Sequence, residues 1–184
     1  DEFKAWQHTF VHGLIAYVHA FKRALRDEKP VDHLGPYLSE ASLSSLHAEE
    51  NVPLALAHRL GEILGDGYRR GYLHPMHAAL IDQLLTEVVD VQGACERIKN
   101  TPIPFSYSSF IKKFIVLYTI TLPMGFAFSL GWYAVPAVMF IFYVLASLEL
   151  IAEEIEDPFS GDENDVPMMK IAGTIERNMK EILA

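Results

Sequence analysis

The chain has 184 residues, with 15 lysine and arginine against 24 aspartate and glutamate side chains, and its formal net charge is −9. This balance leaves no basic face for nucleic acid, and the single cysteine, Cys95, excludes an intrachain disulfide framework and fits a reducing compartment. Because the chain opens on Asp1, directly in a helical pattern, we expect it to be the C-terminal part of a longer protein.

The N-terminal third predicts two helices separated by a polar loop. From Phe3 to about Arg26, apolar residues recur mostly at steps of three, four or seven, which is typical of an amphipathic helix. The pair Lys29-Pro30 ends this helix, and a short helix is expected near residues 38–46.

A third helix is predicted to begin at Asn51, which can cap it, with Pro53 in its first turn. Gly65 and Gly67 are expected to end it. Its buried stripe is expected at Leu54, Ala57, Leu60 and Leu64.

Pro75 opens a fourth predicted helix, which stops before the prolines at 102 and 104. Apolar residues step by three and four along it, and this narrow stripe predicts packing along another helix. The stripe, called the α4 seam below, consists of Ile81, Leu84, Val88, Val91, Cys95 and Ile98.

The stretch from Phe114 to Leu148 contains no charged residue. One helix of that length would be roughly 50 Å long, whereas the hydrocarbon core of a bilayer is about 30 Å thick. We therefore predict two spans, at about 114–130 and 132–151, that turn at Gly131-Trp132. Pro123 is expected inside the first span and Pro136 in the first turn of the second. The alternative is a buried hairpin of a soluble protein.

Charges at the two ends of this hairpin predict its orientation. Lys112 and Lys113 precede the first span, which places both flanks in the cytoplasm. Asp165 and Pro167 are expected to start a last helix, whose apolar stripe is Ile171, Ile175, Met179 and Ile182. The predicted fold is all-α, with a cytosolic helical region at 1–110, a transmembrane hairpin at 111–152, and an acidic turn with a C-terminal helix at 153–184.

Three groups of polar residues are candidates for chemistry. His8, His12 and His19 lie near one face of the first helix and suit zinc, although ordinary helix surface is the commoner use of such residues. Glu149, at the edge of the apolar run, is either functional, or it extends to the membrane interface or caps a neighbouring helix. The run of Asp162, Glu163, Asn164 and Asp165 is either a hard-cation site or a solvated turn.

Several longer motifs occur together in one order. They are GACERIKNTPIPFSY at 93–107, SLE at 147–149, AEEIEDPF at 152–159, NDVP at 164–167 and NVP at 51–53. In these motifs the chain resembles the bacterial bestrophins, and the resemblance covers nearly all of it.

The resemblance implies a homopentameric ion channel in a bacterial inner membrane, whose predicted spans are the third and fourth of each subunit. Flux of monovalent ions would be passive, either chloride, as in animal members, or cations. The cytosolic exit constriction would lie at Met76 or Ala79. A calcium site like the clasp of animal members would use Glu154, Asp157, Asp162 and Asp165, although Gly161 and Asn164 depart from the acidic pattern of that clasp.

Two other functions remain open from the residues alone. One is a membrane-anchored helical scaffold or regulator, in which the hairpin tethers and the α4 seam binds a partner. The other is a membrane-bound metalloenzyme that uses His8, His12 and the acids near the second span. Neither a phosphate-binding glycine loop nor a recognisable nucleophile supports other catalysis.

Overall fold

A computed structural model describes residues 1–162 and 164–183, and these residues contain seven α-helices and no strand. The predicted all-α fold is therefore confirmed. The helices are α1 (Glu2–Leu25), α2 (Glu40–Leu46), α3 (Val52–Arg69), α4 (Pro75–Asn100), α5 (Phe105–Leu130), α6 (Ala134–Glu156) and α7 (Met168–Leu183).

The chain forms two compact units. The bundle unit contains Asp1–Ile98, Phe159–Gly161 and the described residues from Val166 onward. The hairpin unit contains Lys99–Pro158 and the described residues of 162–165. The domain boundaries predicted at residues 110 and 152 remain predictions.

The core of the bundle unit lies where α1 packs against α3 and the loop around α2. Small residues on α1 allow this close approach, and each fully buried leucine contributes about 1.5–3 kcal/mol. The buried cluster consists of Ala16, Tyr17, Ala20, Leu34, Leu46, Val52, Leu56, Ala57 and Leu60.

The predicted start of α3 is confirmed. The side chain of Asn51 accepts a hydrogen bond from the backbone N–H of Leu54 at 3.0 Å and so caps the helix. The predicted stripe is wrong at one position, because Leu54 is exposed and Leu56 is buried in its place.

The predicted end of α3 at Gly65 and Gly67 is wrong, since the helix continues to Arg69. Gly67 serves packing instead: a Cβ atom there would lie 2.5 Å from the ring of Trp6. The indole N–H of Trp6 donates to the carbonyl of Ile63 at 2.8 Å, which fixes the ring over the helix. A glycine is needed in mid-helix because an aromatic ring from α1 lies against that position.

The α4 seam is only partly confirmed as a packing face. Val88 packs against the core together with Leu85 and Val89, whereas Leu84, Val91 and Ile98 are exposed in the single chain. The buried side of α4 also includes a polar residue, Gln92, so an apolar pattern alone could not locate it.

α5 and α6 of the hairpin unit are joined by the 3₁₀ turn Gly131–Tyr133. Gly131 has φ of 52°, a conformation that glycine adopts without strain, and the predicted break is confirmed at this residue. α5 continues through Pro123, and Pro136 lies in the first turn of α6, as predicted. The two helices pack against each other.

α7 packs against α1, but the predicted apolar stripe is wrong at its two ends. Ile171 and Ile182 are exposed, whereas Met168 and Ala172 are buried. The small side chain of Ala172 allows close approach to α1. One turn earlier, Met168 packs against Leu25 and Phe159, and one turn later Glu176 contacts His19.

Candidate functional site

The hairpin unit presents apolar side chains on its outside. The helical stretch Phe105–Glu156 is long and apolar enough to cross a membrane. Only 6% of its most apolar 18-residue segment is buried within the chain. Large exposed residues include Phe128 and Trp132 at the turn end. A core helix of a soluble protein would be mostly buried, so this surface requires lipid or other protein around it.

Polar contacts join the two ends of the hairpin opposite the turn. The ammonium group of Lys112 on α5 pairs with the carboxylate of Glu153 on α6. The backbone N–H of Ile103, just before α5, donates to Glu156 at 2.8 Å. Both ends of the apolar hairpin therefore lie together, which agrees with the predicted reversal of the chain.

Among the predicted calcium ligands, Glu154 at the end of α6 and Asp165 in the turn that follows accept hydrogen bonds from residues of that turn. Glu154 accepts from the side-chain amide of Asn164 at 2.8 Å, and Asp165 accepts from the backbone N–H of Asp162 at 2.8 Å. Across residues 1–162 and 164–183, no three His, Cys, Asp or Glu side chains converge to hold a metal ion. Glu163 lies outside the described residues, and a calcium site that includes Asp157 remains a prediction.

The two candidates for the exit constriction lie in the first turns of α4. Both Met76 and Ala79 are exposed, Met76 to 75%. They line a shallow surface depression together with His74, His77 and Leu80. Their exposure and their shared depression do not distinguish the two residues, so the exit constriction at Met76 or Ala79 remains a prediction.

The three histidines proposed as a zinc site are separated into a pair and a single residue. The rings of His8 and His12 lie 5.9 Å apart, edge to face. His19 instead contacts Glu176 at 3.0 Å and stacks on the ring of Tyr37 at a centroid distance of 5.6 Å. Its ring therefore already has partners of its own.

Glu176 on α7 is the centre of a polar cluster that the sequence analysis missed. It accepts from the hydroxyl of Tyr37 at 2.6 Å and from the ammonium group of Lys180 at 2.6 Å, and it also contacts His19. The hydrogen bonds from Lys180 and Tyr37 lower the pKa of Glu176 to about 2. Burial, together with Glu176, raises the pKa of Tyr37 to about 12. Only the i,i+4 spacing of Glu176 and Lys180 was visible in the sequence.

A second polar cluster links α1, α3 and α4 around Gln92, which is 2% exposed. Its side-chain carbonyl accepts from the Tyr17 hydroxyl at 3.0 Å, and its amide donates to Glu96 at 2.8 Å and to Asn51 at 3.3 Å. Burial raises the pKa of Tyr17 to about 12, so the phenol stays protonated as a donor.

The chain is similar to a family model, to curated proteins and to a solved structure. The family model for bacterial and fungal bestrophin proteins matches residues 1–181. The voltage-dependent anion channel-forming protein alr2987 of Nostoc sp. is 35% identical over 169 residues, which are 92% of this chain and 55% of that protein. The voltage-dependent anion channel-forming protein YneE of Escherichia coli K12 is 30% identical over 173 residues, 94% of this chain and 57% of that protein.

A crystal structure of a bacterial bestrophin homologue from Klebsiella pneumoniae superposes with a TM-score of 0.92 at 29% identity. That match covers 98% of this chain and 67% of the solved chain. The present chain thus spans a little over half the length of the two curated relatives.

Proposed function

The chain belongs to the bacterial and fungal bestrophin family, and on this basis we propose that it is part of a subunit of an ion channel. The observation that carries the proposal is the hairpin, whose apolar outer surface is exposed and whose two polar ends lie together. Such a hairpin fits a bilayer as two antiparallel spans. With Lys112 and Lys113 at its mouth, both flanks belong on the cytoplasmic side of a bacterial inner membrane.

The proposed channel is a homopentamer. One hairpin offers no water-lined path, so a pore requires further helices or several copies around an axis. The exposed apolar residues Leu84, Val91 and Ile98 of α4 are available for contacts between copies. Met76 or Ala79 would then narrow the cytosolic exit.

Transport through this channel is passive, and no covalent step is assigned to the chain. The permeant species are monovalent ions. The two relatives above are named as anion channel-forming proteins, whereas residues 149–184 of this chain carry ten acidic against three basic side chains. This acidic segment favours cations near it and opposes anions.

Reconstitution of the full-length protein in liposomes with a KCl gradient tests the proposal. We expect ion flux that scales with protein content, and a defined reversal potential in bilayer recordings. A Met76→Asp or Ala79→Asp substitution at the true exit position changes single-channel conductance, whereas Ser44→Asp, at an exposed position on α2 outside the depression that Met76 and Ala79 line, serves as control. Absence of flux from correctly folded protein would favour the membrane-anchored scaffold.

The acidic turn has its own test. Neutralisation of Glu154, Asp157, Asp162 and Asp165 to the matching amides is expected to move the reversal potential toward anion permeation. Calcium-dependent currents that disappear in the same variant would assign these residues a calcium site. An unchanged reversal potential would contradict an electrostatic role of this segment in ion selectivity.

A further inference from the structure

The bundle unit contains a cavity of about 410 Å³ that the channel proposal does not use. It lies between α1, α3 and the segment around the start of α2. Its lining is mixed, and the aliphatic part consists of Leu38, Leu56, Leu60 and Ile63. The polar lining residues include Arg59, His8, His12 and Tyr37, and the hydroxyl of Tyr37 donates to Glu176.

The charge of this lining is opposite to that of the chain. The chain carries a net charge of −9, yet no aspartate or glutamate among the described residues lines the cavity. Arg59 supplies a permanent positive charge there. Within the described part of the chain, no carboxylate lies at ion-pair distance from its guanidinium group.

The guanidinium group of Arg59 is held in place by neutral partners. One of its terminal nitrogens donates to the backbone carbonyl of Ser42 at 3.1 Å, and the other donates to the Ser45 hydroxyl at 2.6 Å. These bonds fix the side chain without neutralising its charge. Such an arginine is prepared to pair with an incoming anion at little entropic cost.

We propose that this cavity binds a small organic carboxylate with a short apolar chain. Its volume falls within the range of small-molecule sites, about 300–1,000 Å³. Arg59 would bind the carboxylate, the imidazoles of His8 and His12 would add ring N–H donors, and the aliphatic lining residues would contact the apolar chain. A cation of the same shape would be repelled by the positive charge of Arg59. A neutral analogue would lack the ion pair with Arg59.

Three probes of equal chain length test the ligand class. Hexanoate, hexylamine and hexanol are titrated by isothermal calorimetry into the full-length protein in lipid nanodiscs, with empty nanodiscs as blank. We expect one saturable hexanoate site per chain and binding of hexylamine and hexanol that is at least about tenfold weaker. No saturable hexanoate binding, or hexylamine binding of equal strength, would overturn the proposal.

Two variants locate the site. Arg59→Gln is expected to weaken hexanoate binding about tenfold or more, whereas Arg97→Gln, an exposed arginine on α4 that bonds its own helix backbone, leaves it unchanged. Thr9→Phe fills the cavity from an exposed position on α1, keeps Arg59 intact, and is expected to abolish binding. Full binding by either folded variant would place hexanoate elsewhere and refute the assignment.

Discussion

The two units of this chain use the same residue types in opposite ways. Leu60 in the bundle unit is 1% exposed, whereas Leu117 in the hairpin unit is 64% exposed. In the bundle unit, apolar side chains exclude water by packing against one another. In the hairpin unit they cover the outside, so their burial depends on lipid or on neighbouring copies. We therefore expect the truncation of one buried side chain in the bundle unit to lower the unfolding free energy. The same truncation in the hairpin unit is expected to lower it less.

The largest expected effect comes from removing matched leucines. Leu60→Ala leaves a cavity between α1 and α3 and is expected to cost about 2–5 kcal/mol of unfolding free energy. Leu117→Ala removes little packing within the chain and should cost less than about 0.5 kcal/mol. Pulse proteolysis of the purified full-length protein in urea measures both. Equal losses would show that the two surfaces are packed alike.

Gly67→Ala tests the contact between α3 and Trp6. The new Cβ atom would lie 2.5 Å from the indole ring, and overpacking of this kind costs about 1–3 kcal/mol. Gly61→Ala, on the same helix, has no neighbour within 4 Å and should stabilise the bundle unit by about 0.5–1 kcal/mol through helix propensity. Opposite shifts of the urea midpoint are expected, and two stabilising shifts would mean that Trp6 moves freely.

Gln92→Leu tests whether the polar cluster holds α4 to the bundle. The substitution removes three hydrogen bonds of the buried Gln92 side chain, while the Val88 carbonyl remains 3.4 Å from the Tyr17 hydroxyl, and it is expected to cost about 1–3 kcal/mol. Gln83→Leu is the control, since Gln83 lies exposed on α4 and its amide bonds Glu87 on the same helix. Hydrogen exchange along α4 should rise in the first variant alone. Unchanged exchange would contradict the role of Gln92 in docking this helix.

The smallest effect is expected from Glu176, because its partners are partly exposed. The pKa of Glu176 is lowered to about 2, so its stabilising contribution is present above about pH 4.5 and is lost as the pH falls toward 2. Glu176→Gln should lower the thermal midpoint at pH 6, and the difference from the parent protein should shrink at pH 3. Glu181→Gln, an exposed neighbour on α7, is the control. A constant difference across this range would exclude the linkage.

The sequence predicted the helices better than it predicted their packing faces. Asn51, Pro75 and Gly131 lie where the sequence placed the helix boundaries, because capping, proline geometry and glycine conformation act locally. The seam of α4 and the stripe of α7 were only partly correct. Their buried faces include Gln92 on α4 and Ala172 on α7, and neither residue stands out in an apolar pattern.

The candidate sites also differ in whether they could be predicted from the sequence. The exposed apolar hairpin could be recognised from the sequence because a long uncharged run is itself the physical signal. The Glu176 cluster could not, since His19, Tyr37 and Glu176 are far apart in the chain and meet only when α7 packs on α1. The cavity beside Arg59 likewise requires three separate segments to come together.

Local patterns in the sequence are enough to predict where most helices begin and which segment is too apolar to be exposed to water. These properties depend on residues within a few turns of one another. Three features follow only from the folded chain: Gly67 lies against a tryptophan ring, Gln92 is buried, and Arg59 lines a cavity without a carboxylate among its described lining residues. Those outcomes depend on contacts between distant segments, whose distances no local pattern fixes.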